Sequence, residues 1–204
     1  LAGAPAVKRR KVAPGAPLSE WMRPEDFAGL VGQREAAEMM RGMAESGSLQ
    51  SVILWGPPGC GKTSLGRMMA GAAGVAFVNL SAVHAGLAEV KKVVKDAQAS
   101  RSFSGKGTVL FLDEIHRFNK LQQDAFLPHV ESGLVTLVGA TTENPSFALN
   151  KALLSRCRVL SLGKLSTEET IGVLRQAVSD HDRGLPAFLA RYVSNNLAGG
   201  GGGG

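Results

Sequence analysis

Residues 55–64 read WGPPGCGKTS, and within them Gly56, Pro57, Pro58, Gly59, Cys60, Gly61, Lys62 and Thr63 fit the pattern G-x-x-x-x-G-K-[ST]. The glycines let the backbone turn its N–H groups inward, so that several donors converge on one anion. Lys62 is placed to reach β- and γ-phosphates, the Thr63 hydroxyl to ligate Mg²⁺, and Ser64 continues the first helical turn. A chance match in a chain of this size has odds of about one in a hundred on ordinary residue frequencies. Context sharpens it. An apolar run at 52–55 leads into the loop, and a helical stretch at 61–72 leads out of it, adding the positive end of a helix dipole. The stretch reads as a phosphate-binding loop between a buried strand and a helix.

Working outward, apolar runs at 76–80, 108–112, 134–140 and 158–162 are expected as further strands. Between them, Leu87, Val90, Val94 and Ala97 recur at helical spacing among lysines. Residues 119–131 are expected as a helix interrupted at Pro128, and 150–156 as a short helix. Continuous apolar strands alternating with helices imply a parallel sheet covered on both faces, with ligands at the carboxyl ends of its strands.

At one such end the chain reads VLFLDEIHRFNKLQQDAFLPH (109–129). Two adjacent acids closing an apolar strand are poorly explained by packing, because a buried unpaired carboxylate is costly. Asp113 suits the far side of the Mg²⁺, and Glu114 suits the general base that polarises an attacking water. After the next strand comes GATTENPSF (139–147). If that strand lies between the other two, a polar side chain at its tip sits between Lys62 and Asp113. Thr142 is the first choice for sensing the γ-phosphate, with Thr141 and Asn144 as alternatives. Arg156, in LLSRC (153–157), has no acid close in sequence. It reads as an arginine finger onto the nucleotide of a neighbouring subunit, or else as a partner of its own helix's C-terminal dipole. Phe118, Leu121, Ala125 and Phe126 are expected to pack the following helix, with His116 structural. Arg117, Asn119 and Lys120 are candidates for subunit or DNA contacts.

The rest of the chain is less specific. Of a net charge of +6, Lys8 to Lys11 supply four positive charges and Glu20 is the only acid in the first twenty residues, so residues 21–204 carry +3. Composition alone is therefore weak support for nucleic-acid binding. Cys60 and Cys157 fit neither a zinc nor a disulfide spacing and are expected as reduced thiols. No apolar run approaches the roughly 18 residues that a membrane span needs, so no membrane partner is expected. Residues 1–18 are expected to be disordered, with KRRK (8–11) either a nuclear-import or DNA-contacting cluster or a solvated tail. Helical patterns at 167–179 and 186–196 precede a glycine run at 199–204, and read as the start of a second domain.

GPPGCGKT, LFLDE, GATT and LLSRC, in this order and spacing, resemble an AAA+ ATPase of the clamp-loader branch. Residues 23–33 resemble that branch's R-P-x-x-F-x-x-x-V-G-Q box, which implies Val31 beside the adenine. DEIHRFNKLQQDAFLPHVESG with GATTENPSFALNKALLSRCRV resembles the replication-associated recombination protein A family, which includes the Werner helicase-interacting proteins of eukaryotes. The resemblance covers roughly residues 18–163. It implies an α/β P-loop fold with a five-stranded parallel sheet in the order 5-1-4-3-2, flanked by helices, with a partial helical lid. The implied division is a basic tail at 1–18, the nucleotide-binding domain at 19–163, the partial lid at 164–198 and a glycine tail at 199–204. It further implies ATP and Mg²⁺, DNA-dependent ATP hydrolysis at stalled replication forks, binding of DNA ends, forks and single-strand/double-strand junctions, replication and repair proteins as partners, and homotetramers. The cysteines in GPPGCGKT and SRCRV lean toward the eukaryotic members and hence the nucleus, with a bacterial cytoplasm as the alternative. Three features depart from the family: a short segment between Gln33 and Trp55, a truncated lid without its second sensor arginine, and no C-terminal oligomerising domain or ubiquitin-binding zinc finger. The other readings are a RuvB-like branch-migration motor and a clamp-loader-like subunit that uses ATP as a binding switch.

Overall fold

The computed structural model describes residues 16–198. The KRRK cluster and the glycine run lie outside the described residues. Along the chain, α1 (Leu18–Trp21) is followed by a 3₁₀ turn at Phe27–Gly29, α2 (Arg34–Glu45), β1 (Val52–Trp55), α3 (Lys62–Ala72) and β2 (Ala76–Ser81). Then come α4 (Leu87–Ser104), β3 (Thr108–Asp113), a 3₁₀ turn at Ile115–Arg117, α5 (Lys120–Asp124) and α6 (Leu127–Glu131). The remainder is β4 (Val135–Thr141), α7 (Pro145–Ala148), α8 (Lys151–Leu154), β5 (Arg158–Ser161), α9 (Thr167–Ser179) and α10 (Leu185–Ala198). Contacts divide the described chain into two compact units, residues 26–164 and residues 16–25 with 165–198.

In the larger unit all strand pairings are parallel, in the order β2-β3-β4-β1-β5. This is the expected 5-1-4-3-2 order. The central strands β1, β3 and β4 are almost wholly buried, whereas the edge strands β2 and β5 are largely half-exposed or exposed. Alternation along β3 sorts the core into two faces. Val109 and Phe111 join Met40 of α2 and Leu65 and Met69 of α3, while Leu110 and Leu112 join Val90 and Val94 of α4 with Phe126 and Leu153. Phe111 is fully buried, 6.0 Å from the Phe77 ring centroid. It lies so close to α3 that a Cβ on Gly66 would meet its Cδ2 at 2.7 Å.

The helix expected at 119–131 is interrupted as expected, but two to three residues before Pro128. The break falls at Ala125 and Phe126, and Pro128 sits in the first turn of α6, where its missing N–H leaves no bond unmade. Phe118 and Phe126 stack with centroids 5.8 Å apart, but Leu121 is exposed rather than packed. Gln123 takes the buried place instead. Its Nε2 donates to the carbonyls of Phe118 (2.8 Å) and Ala148 (3.2 Å), and its Oε1 accepts from the Asn150 N–H at 2.8 Å. One amide thus ties α5 to the start of α8.

The smaller unit is held by short-range caps and an aromatic contact. Ser166 and Glu169 cap α9 reciprocally, at 3.1 and 2.7 Å. The Arg191 guanidinium lies 4.2 Å over the Trp21 ring.

Two outcomes follow from the packing. Phe111→Ala leaves a cavity between α3 and the sheet and lowers unfolding free energy by about 3–5 kcal/mol, measured by chemical denaturation. Burial also pushes the Cys157 thiol up to about 12. Burial disfavours the thiolate, so the stability this group contributes is complete below the unfolded value of about 8.5 and is lost as pH rises toward 12. At pH 8 the native Cys157 is expected to react with iodoacetamide at least ~10-fold more slowly than in the denatured chain, read by mass spectrometry.

Candidate active site

The phosphate loop is built where β1 ends. The Leu162 N–H donates to the Trp55 carbonyl at 2.7 Å, which keeps the end of β5 beside the loop. A Cβ on Gly56 would lie 2.5 Å from the Leu162 carbonyl oxygen, so no larger residue fits. The Gly56 N–H donates to the Thr141 carbonyl at 3.1 Å. Gly61, at φ 100°, adopts a conformation that side chains disfavour and from there α3 begins. Lys62 is buried, and its Nζ donates to the carbonyls of Gly56 (2.7 Å) and Pro57 (2.8 Å), 4.0 Å from Cys60 Sγ. Pro58 and Gly59 are exposed, Cys60 and Ser64 are buried, and Thr63 is half-buried. Leu30 passes close to the loop, with its Cδ1 3.6 Å from where a Gly61 Cβ would be, and Val31 follows it half-buried. Gln33 anchors this segment, donating to the Gly163 carbonyl at 2.8 Å and accepting from the Gly163 N–H at 3.2 Å.

The acids lie on the same edge of the sheet. Asp113 closes β3 in register with Ser81, and β4 lies between β3 and β1, with Leu112 opposite Gly139 and Trp55 opposite Thr141. Asp113 and Glu114 are both half-buried. Glu114 has φ 53° and ψ 43°, a left-handed backbone that is uncommon without glycine, and its N–H donates to Asp113 Oδ1 at 3.1 Å. Of the residues at the tip of β4, Thr141 is buried, and its Oγ1 accepts from the Glu143 N–H at 3.0 Å. Asn144 caps α7 by accepting from the Ser146 N–H at 3.0 Å, whereas Thr142 is exposed.

His116, read from sequence as structural, is turned toward this edge. Its side chain is 5% exposed, with Nδ1 2.9 Å from Thr141 Oγ1 and Nε2 3.2 Å from Glu114 Oε2 and 3.5 Å from Glu143 Oε1. The sequence carried no local signal for this, because Thr141 lies 25 residues away.

Among the described residues, no group of three or more His, Cys, Asp or Glu is placed to hold a metal ion. The donors this edge does offer are the Thr63 hydroxyl and the Asp113 carboxylate. Two hard oxygens suit Mg²⁺, which keeps several waters and takes its other ligands from substrate phosphates.

Arg156 lies at the other end of the sheet. It precedes β5, whose Arg158 pairs with Val52 at the start of β1, while the phosphate loop follows Trp55 at the end. At about 3.3 Å per residue, these two levels are roughly 10 Å apart before either side chain is counted. The Arg156 Nε pairs with Glu131, and its Nη1 donates to the Ala152 carbonyl of α8 at 2.8 Å and to Ser155 Oγ at 3.2 Å. Sequence spacing had suggested no acid partner for it, and α6 supplies one. With Ser51, Gly133, Cys157 and Arg158 it lines a cleft of about 550 Å³.

Comparison with known proteins agrees with this architecture. Residues 52–163 match the model of the ATPase family associated with various cellular activities (AAA). The chain is 50% identical over 171 residues to the replication-associated recombination protein A of Escherichia coli K12, covering 82% of this chain and 38% of that protein. It is 46% identical over 166 residues to the ATPase WRNIP1 of Dictyostelium discoideum, covering 80% of this chain and 19% of that protein. Among solved structures, the Thermotoga maritima RuvB Holliday junction branch migration motor superposes with a TM-score of 0.63 at 29% identity, over 79% of this chain and 55% of that one. The chain thus spans well under half the length of these two curated relatives. The matched region contains the phosphate loop, the acid pair, the β4 tip and Arg156 on one parallel sheet of the order found here, and the chain belongs to the AAA ATPase family.

Proposed function

We propose that the protein hydrolyses ATP to ADP and phosphate and couples this to DNA at stalled replication forks. The observation that carries the reading is the position of β4 between β1 and β3, which sets Lys62, the β4 tip and the Asp113–Glu114 pair along one edge. In this reading residues 56–64 cradle the phosphates, with Lys62 on the β- and γ-phosphates and the Val31 segment beside the base. Thr63 and Asp113 would hold Mg²⁺, whose charge offsets that of the phosphate oxygens. Glu114 accepts a proton from the attacking water while the bond from the γ-phosphorus to its bridging oxygen breaks. Thr142 is the favoured γ-phosphate sensor, because it is exposed at the β4 tip while Thr141 and Asn144 are engaged elsewhere.

Arg156 is assigned as a finger acting on a neighbouring subunit. Its place at the amino ends of the strands supports this, since it cannot reach the phosphate loop of its own chain. Assembly as a homotetramer would then complete each site. The remaining proposals are contact with DNA ends, forks and junctions, replication and repair proteins as partners, the nucleus as location, and 19–163 and 164–198 as nucleotide-binding domain and partial lid. The likeness to RuvB favours one second reading, a branch-migration motor. Stimulation of ATP turnover by forked DNA rather than four-way junctions supports the first reading, and the opposite order supports the second.

Two outcomes test the assignment in the full-length protein. Arg156→Ala and Lys62→Ala should each lower turnover steeply, the former by about 1,000-fold. Mixing the two variants should restore turnover, because an intact loop then meets an intact finger, and failure at every ratio contradicts a finger in trans. DNA affinity should fall steeply between 50 and 200 mM salt, roughly 10-fold or more, and a flat response excludes a phosphate-led contact.

A further inference from the structure

Glu114 occupies a left-handed backbone conformation, and a base in that position needs its carboxylate aimed as well as placed. His116 is the side chain set to do this. Its ring is nearly sealed from solvent, with Nδ1 facing the β4 tip and Nε2 facing Glu114 together with Glu143 of that same tip. Nδ1 meets Thr141 Oγ1 at the β4 tip, at 2.9 Å. Nε2 faces two carboxylates, Glu114 at 3.2 Å and Glu143 at 3.5 Å. With the proton on Nε2, Nδ1 and the Glu143 carbonyl (3.3 Å) are the two acceptors open to the Thr141 hydroxyl, which itself accepts from the Glu143 N–H, and Nε2 lies within ion-pair distance of both carboxylates. The same Thr141 accepts the first amide of the phosphate loop, Gly56 N–H, on its carbonyl at 3.1 Å. Here one buried ring joins the phosphate loop, through the β4 tip, to the carboxylate of the base.

We propose that His116 is a positioning residue for ATP hydrolysis, holding the Glu114 carboxylate against the tip of β4 and linking its aim to the phosphate loop. The inference rests on the reading of Glu114 as the general base. Glu143, more exposed than Glu114 (61% against 32% for the side chains), is the second carboxylate near the same nitrogen. Polar groups placed where the two ring nitrogens lie, and not the ring's bulk, are what the role requires.

The test is steady-state turnover with ATP affinity measured on the same full-length variants. His116→Asn keeps a polar group near Nδ1 and loses the one near Nε2, whereas His116→Gln keeps an amide near Nε2. The expected result is that His116→Asn lowers kcat roughly 10-fold or more, with the ATP Kd within about 2-fold and an unchanged melting temperature, and that His116→Gln recovers most of kcat. Equal losses in the two variants, no loss in His116→Asn, or a loss carried by Kd overturns it. Should His116→Asn not fold, Thr141→Val replaces it: lower kcat with unchanged Kd supports the link, and unchanged kcat overturns it. In a Glu114→Gln background, His116→Asn should add no further loss, and an additive loss overturns action through Glu114. The two readings fail differently. If Glu114→Gln alone leaves turnover intact, the base assignment fails and this inference with it; if Glu114→Gln is inactive and His116→Asn is unimpaired, only this inference fails.

Discussion

The pairing of β4 with β1 on one side and β3 on the other is the constraint on which the site depends. Parallel strands present all their carboxyl ends at one edge, so whatever follows each strand is gathered there. The loop after β1, the acids closing β3 and the polar tip of β4 are brought together by this order and by nothing local to each. The hydrogen bond from Gly56 N–H to the Thr141 carbonyl extends the β1–β4 ladder by one step into the loop itself. Burial of Phe111 against α3 keeps the phosphate-binding helix seated on the sheet that carries Asp113.

The same polarity separates Arg156 from the site. Residues preceding a strand lie at the amino edge, so a residue just before β5 starts from the opposite edge to the nucleotide loop that follows β1. Its pairing with Glu131 and with the Ala152 carbonyl gives it a defined resting geometry on the face it shares with a cleft. Of the two ideas raised from sequence, the partner of the helix end is seen as the hydrogen bond to the Ala152 carbonyl, while the finger is a proposal that this location supports.

What was legible in the sequence was what repeats or what is contiguous. The strand at 52–55 and the helix at 167–179 agree with the structure to the residue, because an unbroken apolar run and a helical pattern are each contiguous in the chain. The loop and the acid pair were likewise read from adjacent residues. Contacts across 25 residues or more left no such trace. Glu131 against Arg156, Gln123 against Ala148 and Asn150, and His116 against Thr141 each depend on how two segments pack. Leu121 shows the opposite error, since a helical spacing that promised burial belongs to a helix of only five residues whose buried place Gln123 takes. The Glu114 backbone was also hidden, because a left-handed turn at a glutamate has no compositional signal.

The division of labour between Asp113 and Glu114, two adjacent acids doing different things for one phosphate, is the central claim. The most direct measurement is turnover of the full-length Glu114→Gln protein, with ATP binding titrated on the same sample in the presence of Mg²⁺. The account predicts retained ATP affinity and a fall in turnover of at least ~100-fold, the low end for removal of a general base. Turnover equal to that of the unsubstituted protein would contradict it.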